Sequence, residues 1–300
     1  MTREELYASL YQNGTVYRPL QEEQSILLEV AVGCSWHKCA FCDFTRDPFA
    51  LLPLETIRRS AETLTQLGAP GNRVFLLGQN ALVRPTAELL QIFGYIHHYL
   101  PQVTQISLYA RAEDVNRKTA AELETLRQMG LCDLHIGVES GSDTVLLLAN
   151  KGETADDLLR AFGKLDEAGI GYLVTSILGL GGRQMWKAHA IETARLYNRI
   201  HPRNIWVLGL RLFPGTELYR QARAGLFEPL TPRQMLLEER LLVQELTVEN
   251  CFFMDTTAMN RYTLAADLPE GKEGLLHAIN QLLLDEELGV FAAPAEGPLS

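Results

Sequence analysis

Three of the five cysteines in this chain, Cys34, Cys39 and Cys42, fall in one stretch, Val32-Gly33-Cys34-Ser35-Trp36-His37-Lys38-Cys39-Ala40-Phe41-Cys42-Asp43-Phe44. A short loop can curl their sulfurs around a single centre, and thiolates are the soft ligands that iron-sulfur clusters and zinc prefer. Three ligands leave the set incomplete: a cluster of four irons would keep one iron without a protein ligand, open to a substrate or cofactor. A structural zinc needs four protein ligands. His37 is the nominal fourth, but between two liganding cysteines it is poorly placed to point inward. A disulfide is disfavoured, since the chain opens Met1-Thr2-Arg3-Glu4-Glu5 with no apolar signal stretch. That start implies a cytoplasmic, reducing compartment, where thiols stay free or bind metal. Cys132 and Cys251 stand apart, so no second cluster is expected.

Composition bounds the rest. The chain has 300 residues, 47% hydrophobic and 21% charged, which is the make-up of a soluble globular protein, and no run approaches a membrane span. A net charge of -10 argues against a nucleic-acid scaffold held by phosphate contacts and leaves a small-molecule substrate open.

The elements that must position the cysteines can be read in order. Residues 1–24 hold a short helix around Leu6 to Tyr11 and an irregular lead-in, expected to act as packing or a lid. Ser25 to Val32 is an apolar run of strand length ending at Gly33, suited to a buried parallel strand that delivers the cysteine loop from its carboxyl end. Further apolar runs follow at Val74 to Leu77, Ile106 to Ala110, Leu134 to Val138, Tyr172 to Leu178 and Ile205 to Leu210. Helical patterns separate them at Pro53 to Leu67, Thr86 to His98, Thr119 to Met129, Thr154 to Ala168 and Trp186 to Ile200. Strict alternation implies crossover units and a parallel sheet covered by helices. The preferred architecture is α/β, a partial (βα)6 TIM-like barrel over residues 25–225, with a doubly wound open sheet as the alternative. A helical C-terminal extension over 226–291 follows, with helices at Pro229 to Leu246 and Lys272 to Leu288, and 292–300 form a flexible tail.

In either architecture chemistry gathers at the carboxyl ends of the strands. Polar and glycine-containing segments fall there: Gly78-Gln79-Asn80, Tyr109-Ala110-Arg111, Gly137-Val138-Glu139-Ser140-Gly141-Ser142, Gly179-Leu180-Gly181-Gly182 and Phe213-Pro214-Gly215-Thr216-Glu217-Leu218-Tyr219. The bland alternatives are ordinary: a tight turn at Gly78 to Asn80, a helix-dipole acid at Glu139, a solvated Lys151, and Arg111 paired with Glu113 or Asp114.

The cysteine stretch resembles the cluster loop of the radical S-adenosylmethionine (SAM) superfamily, in which an aromatic precedes the last cysteine; Phe41 fills that place. The loop departs from the usual pattern by one extra residue between the first two cysteines. Gly137 to Ser142, followed by Asn150-Lys151-Gly152, resembles a stretch of the coproporphyrinogen dehydrogenase, tRNA-modifying and cobalamin-associated branches, and Pro214 to Tyr219 resembles a segment that commonly leaves the sixth strand. The resemblance implies a [4Fe-4S] cluster on Cys34, Cys39 and Cys42 that reductively cleaves SAM to a 5'-deoxyadenosyl radical, which abstracts hydrogen from an unidentified substrate. It places the SAM amino group at Gly78, Gln79 and Asn80, with asparagine where an acid is common. The ribose falls beside Glu139, the SAM carboxylate beside Lys151 with Arg111 as a second partner, and the adenine beside Gly179 and Leu180. An external one-electron reductant such as flavodoxin or ferredoxin is implied. A non-enzymatic cluster- and haem-binding chaperone and a zinc-stabilised binding protein are the alternatives.

Overall fold

The computed structural model describes residues 2–12, 16–43, 48–256 and 262–287. Phe44, the Asn260-Arg261 pair, the end of the last helix at Leu288 and the tail at 292–300 lie outside them. In chain order the elements are α1 (Arg3–Ala8), β1 (Ile26–Glu29), β2 (Ala31–Val32), β3 (Ala50–Leu51), α2 (Leu54–Gln66), β4 (Arg73–Leu77), α3 (Thr86–Tyr99), β5 (Gln105–Ala110), α4 (Ala112–Arg117), α5 (Ala120–Gln128) and β6 (Leu131–Glu139). They continue as α6 (Asp143–Leu148), α7 (Ala155–Ala168), β7 (Gly171–Leu178), α8 (Gly182–Tyr197), β8 (Asn204–Gly209), α9 (Glu217–Arg223), α10 (Pro232–Glu245), β9 (Cys251–Asp255), β10 (Leu264–Leu268) and α11 (Lys272–Glu287).

The main sheet runs β1-β4-β5-β6-β7-β8-β9-β10. Every pair from β1 to β9 is parallel, and β10 closes the row antiparallel to β9. A doubly wound sheet reverses its strand order at a switch point. Here spatial order follows chain order throughout, the winding of a barrel wall, and β1 and β10 are its edges, so the barrel is partial. One face of each strand packs under the helices: Val74, Leu76, Ile106, Leu108, Leu134, Ile136, Val174 and Val207 share one buried core with Ile57, Phe93, Leu123 and Phe162 from the helices.

Local details depart from the sequence reading where backbone pairing overrides the apolar run. The run from Ser25 to Val32 splits at Val30, whose N–H donates to Leu77 while its carbonyl accepts from Leu52, so β2 leaves the barrel wall and pairs with β3. The first helix ends at Ala8 and starts earlier than expected, because a Thr2–Glu5 capping box fixes its start. α8 begins at Gly182, four residues before Trp186. The segment from Cys251 adds β9 and β10 between the two extension helices, which periodicity did not assign.

The lead-in closes the amino-terminal end of the barrel. Glu22 is fully buried; its carboxylate accepts from Arg73 at 2.6 and 2.9 Å, from Ser107 at 2.8 Å and from His135 at 2.8 Å, with Ser25 as a further donor. Above it Phe75, Tyr109 and His135 meet edge-on, with ring centroids 5.1 to 5.9 Å apart. Burial alone would push the Glu22 carboxyl up, but bonds from Arg73, His135 and Ser25 outweigh it and hold the group well below the usual carboxylate range. A depressed folded-state value contributes stability that is present above the unfolded value near 4.5 and is lost as the pH falls towards the folded one. Glu22→Gln is therefore expected to cost about 3 kcal/mol at neutral pH. In denaturant titrations the gap to the parent protein should shrink as pH falls below about 4.5, and a gap that does not change with pH would contradict this account.

Candidate functional site

The cysteine loop leaves β2 at the carboxyl end of the first barrel strand, and neighbouring segments hold it in place. Ala40 N–H donates to Ala149 O at 2.8 Å, Leu218 N–H to Ala40 O at 2.8 Å, and Asn150 Nδ2 to Lys38 O at 2.8 Å. Trp36 Nε1 donates to Asn150 O at 2.7 Å. The Trp36 ring lies against Gly152, where an added Cβ would come within 2.2 Å of Cζ2, and it carries Lys38 and Arg111 at 4.9 Å from ring centroids. Cys34, Cys39 and Cys42 form no disulfide, and each is half-buried. Burial pushes the Cys39 thiol up, while Lys151 and Arg111 pull against it, which places the loop beside the cations from the strand ends.

The strand ends bring the candidate residues to the same mouth. Gly78 has φ +132° and lies so close to Ala31 that a Cβ would meet its methyl at 2.7 Å. Gln79 is half-buried beside it, and Asn80 is fully buried. Both amide hydrogens of Asn80 are used, on Ser35 Oγ at 2.7 Å and Asp114 Oδ2 at 2.6 Å, and its Oδ1 is buried without a partner. Asn80 thus keeps one unused acceptor.

Arg111 does not pair mainly with Glu113 or Asp114. It is buried, donating from Nη2 to Lys151 O at 2.8 Å with Glu153 at 3.5 Å, while its Nε makes no hydrogen bond and lies 4.0 Å from Glu113 Oε2. Lys151 is likewise buried rather than solvated, 3.6 Å from Glu139 Oε1, while Thr175 donates to Glu139 Oε2 at 3.0 Å. Gly137 makes room for this pair, since a Cβ there would meet Glu139 Oε1 at 2.1 Å and Lys151 Nζ at 3.2 Å. Burial works against the Lys151 charge, but Glu139 and Glu153 together lift its pKa above the ordinary lysine value. Burial raises the Glu139 carboxyl, and Lys151 and Thr175 oppose that.

Glu139 itself sits at φ +65°, where a non-glycine residue is strained, and the β6–β7 register shifts there. Such strain persists where the surroundings impose it, commonly at ligand-binding positions. Buried pairs of this kind are weak contributors to stability, so their retention points to binding. Gly179 has φ +83° and gives its N–H to Glu238 at 2.6 Å. Leu180 joins Ala40, Val145, Ala149, Ile177 and Leu218 in a small apolar cluster against which Phe41 packs. Thr216 caps α9 by accepting from Tyr219 N.

These residues fit a cluster and a zwitterionic ligand. Among the described residues no three His, Cys, Asp or Glu side chains converge as ligands of one metal ion; thiolates on a cluster bind separate irons and need not converge. The buried acceptor of Asn80 suits an ammonium, and the cations Arg111 and Lys151 suit a carboxylate. The sequence reading missed the Trp36–Gly152 contact, although both residues lie in segments it singled out. It also missed Glu22, His189 and Glu238, whose partners are distant in the chain and leave no local pattern.

A model of the Radical SAM superfamily matches residues 28–194. The chain is 22% identical over 249 residues to an uncharacterized protein of Methanocaldococcus jannaschii, covering 78% of this chain and 76% of that one. It is 22% identical over 197 residues to the heme chaperone HemW of Bacillus subtilis, 63% of this chain and 51% of HemW, so it spans about half of that relative. Among solved structures it is similar to the radical SAM methyltransferase TsrM of Kitasatospora setae (TM-score 0.56, 16% identity, 90% of this chain and 56% of that one). It is also similar to methylornithine synthase PylB (TM-score 0.53, 13% identity, 96% of each chain). At these identities the structural likenesses establish the shared fold.

The Trp36–Gly152 contact makes a direct prediction. Gly152→Ala should displace the indole and cost about 2 kcal/mol, read in denaturant titrations together with a red-shifted tryptophan emission. In a Trp36→Ala background the same change should cost only about 1 kcal/mol, the share due to its φ of +75°. Equal costs in both backgrounds would show that the two residues do not depend on each other.

Proposed function

Since this chain belongs to the Radical SAM superfamily, we propose that Cys34, Cys39 and Cys42 hold a [4Fe-4S] cluster and that the adjoining strand ends bind SAM. The observation that carries this reading is the juxtaposition of the cysteine loop with a paired, buried set of charges: Trp36 of the loop rests on Gly152 and under Arg111, next to Lys151 and Glu139. Bound together, cluster and SAM supply one electron and a 5'-deoxyadenosyl radical able to take hydrogen from a substrate.

The chain's own residues bind, orient and exclude water. Asn80 Oδ1 accepts from the SAM ammonium, and Lys151 with Arg111 faces its carboxylate. Glu139 accepts from the ribose hydroxyls, and Phe41, Leu180 and Gly179 offer an apolar, closely packed side for the adenine. Asn80 lacks the charge of the acid it replaces, which weakens the grip on the ammonium. The substrate is proposed to enter the barrel above Tyr109 and His135, and a flavodoxin or ferredoxin to deliver the electron from outside. No helix among the described residues is long and apolar enough to cross a membrane.

The similarity to HemW supports a second reading, a cluster- and haem-binding protein without SAM cleavage. Anaerobically reconstituted protein should carry about four irons and four sulfides per chain, and the triple alanine variant of the three cysteines should carry none. Reduced with dithionite, the loaded protein should convert SAM to 5'-deoxyadenosine and methionine even without substrate. Glu139→Ala should weaken SAM binding by about tenfold with the cluster intact. SAM-saturated, reduced protein that forms no 5'-deoxyadenosine and binds haem would favour the second reading.

A further inference from the structure

The C-terminal extension reaches back into the strand ends through a buried carboxylate. Glu238 on α10 is fully buried, and each of its oxygens has a partner. Oε2 accepts the N–H of Gly179 at 2.6 Å. Oε1 lies 2.7 Å from His189 Nδ1 on α8, and His189 Nε2 lies 3.2 Å from the carbonyl oxygen of Glu139. His189 is 2% exposed. Glu238, directly at Gly179 and through His189 at Glu139, therefore ties down the carboxyl ends of both β7 and β6, at residues that carry positive φ angles of +83° and +65°.

The proton count of this chain of bonds follows from its geometry. The Glu139 carbonyl can only accept, so Nε2 of His189 carries a hydrogen. The remaining proton lies between Nδ1 and Oε1, whether as an imidazolium facing a carboxylate or as a neutral pair. Both arrangements keep every polar atom of the chain satisfied, the condition under which a buried network rigidifies its surroundings. Glu139 needs such support: a non-glycine residue at positive φ relaxes unless neighbouring groups hold it there. From that backbone conformation its carboxylate reaches Lys151 and Thr175.

We propose that Glu238 and His189 are positioning residues for the SAM site, and that the extension is part of that site because α10 sets the Glu139 and Gly179 backbones to receive the ligand. This rests on the reading of the mouth as a SAM site. Neither residue touches the ligand in this account; both act through the strand ends.

The test is SAM binding to the full-length, cluster-reconstituted protein, followed by equilibrium titration, with iron and sulfide content and the thermal unfolding curve recorded for each variant. Glu238→Leu keeps the volume and removes both bonds, and should weaken SAM binding by about tenfold or more with cluster content unchanged. Glu238→Gln retains an acceptor for Gly179 N–H and a donor for His189 Nδ1, and should bind SAM within about threefold of the parent. His189→Leu cuts the Glu139 arm and leaves Glu238 Oε1 without its donor while the Gly179 bond remains, and should also weaken SAM binding, which keeps the test open if Glu238→Leu fails to fold. In the dithionite assay the loss should appear mainly in KM, with kcat retained at saturating SAM. Parent-like SAM affinity in Glu238→Leu or His189→Leu would overturn the positioning role while leaving the SAM site standing. A parent protein that takes up its cluster but binds no SAM would overturn both together.

Discussion

The loop from Gly33 to Asp43, proposed to present three thiols to one inorganic centre, has to be held from outside, because a stretch with no helix or strand of its own cannot fix sulfur positions. The hold comes from three separate parts of the chain. The α6–α7 connection supplies Ala149 O, Asn150 and the Gly152 platform, the start of α9 supplies Leu218 N–H, and the end of β4 supplies Asn80. Two of those segments carry Lys151 and Asn80, which are proposed to bind SAM. Loop order and ligand site are thus two consequences of one set of contacts: whatever disturbs the segment from Ala149 to Gly152 disturbs the thiols and the Lys151 charge together.

The electrostatics of the mouth follow the same economy. Arg111 and Lys151 face Glu139 and Glu153 with all four side chains nearly removed from water, so the two charge signs balance before any ligand arrives. Replacing such a set by apolar residues is often neutral or favourable for stability. Its presence, with the strained Glu139 backbone and the Asn80 Oδ1 and Arg111 Nε that make no hydrogen bond, supports the proposed binding of a charged molecule. The opposite end of the barrel shows the contrast: Glu22 has a full complement of donors and only closes the structure.

What the sequence made legible was set by range. Strands buried on both faces read as plain apolar runs, and helices announced their period, so the barrel core was visible from residues such as Val74 to Leu77 and Thr154 to Ala168. Glu139, Lys151 and Asn80 were visible because each lies in a polar segment just past such a run. Trp36 resting on Gly152 was not, because the bond that seats it spans 114 residues. Glu22 is 113 residues from His135, and Glu238 is 49 from His189; pairings at such separations leave no periodicity to read. β9 escaped for a different reason: Cys251-Phe252-Phe253-Met254 is too short to tell strand from helix by pattern, and its pairing with β8 decides the matter.

Three cysteines on one loop are proposed to leave an iron open to SAM, held there by the strand ends around it. The most direct test is electron paramagnetic resonance of the reduced, cluster-loaded protein with SAM carrying an isotopically labelled amino nitrogen. A hyperfine coupling between cluster and labelled nitrogen, lost in the Asn80→Ala and Lys151→Ala variants, is the predicted result. A spectrum that SAM leaves unchanged, in protein with a full cluster, would contradict the account.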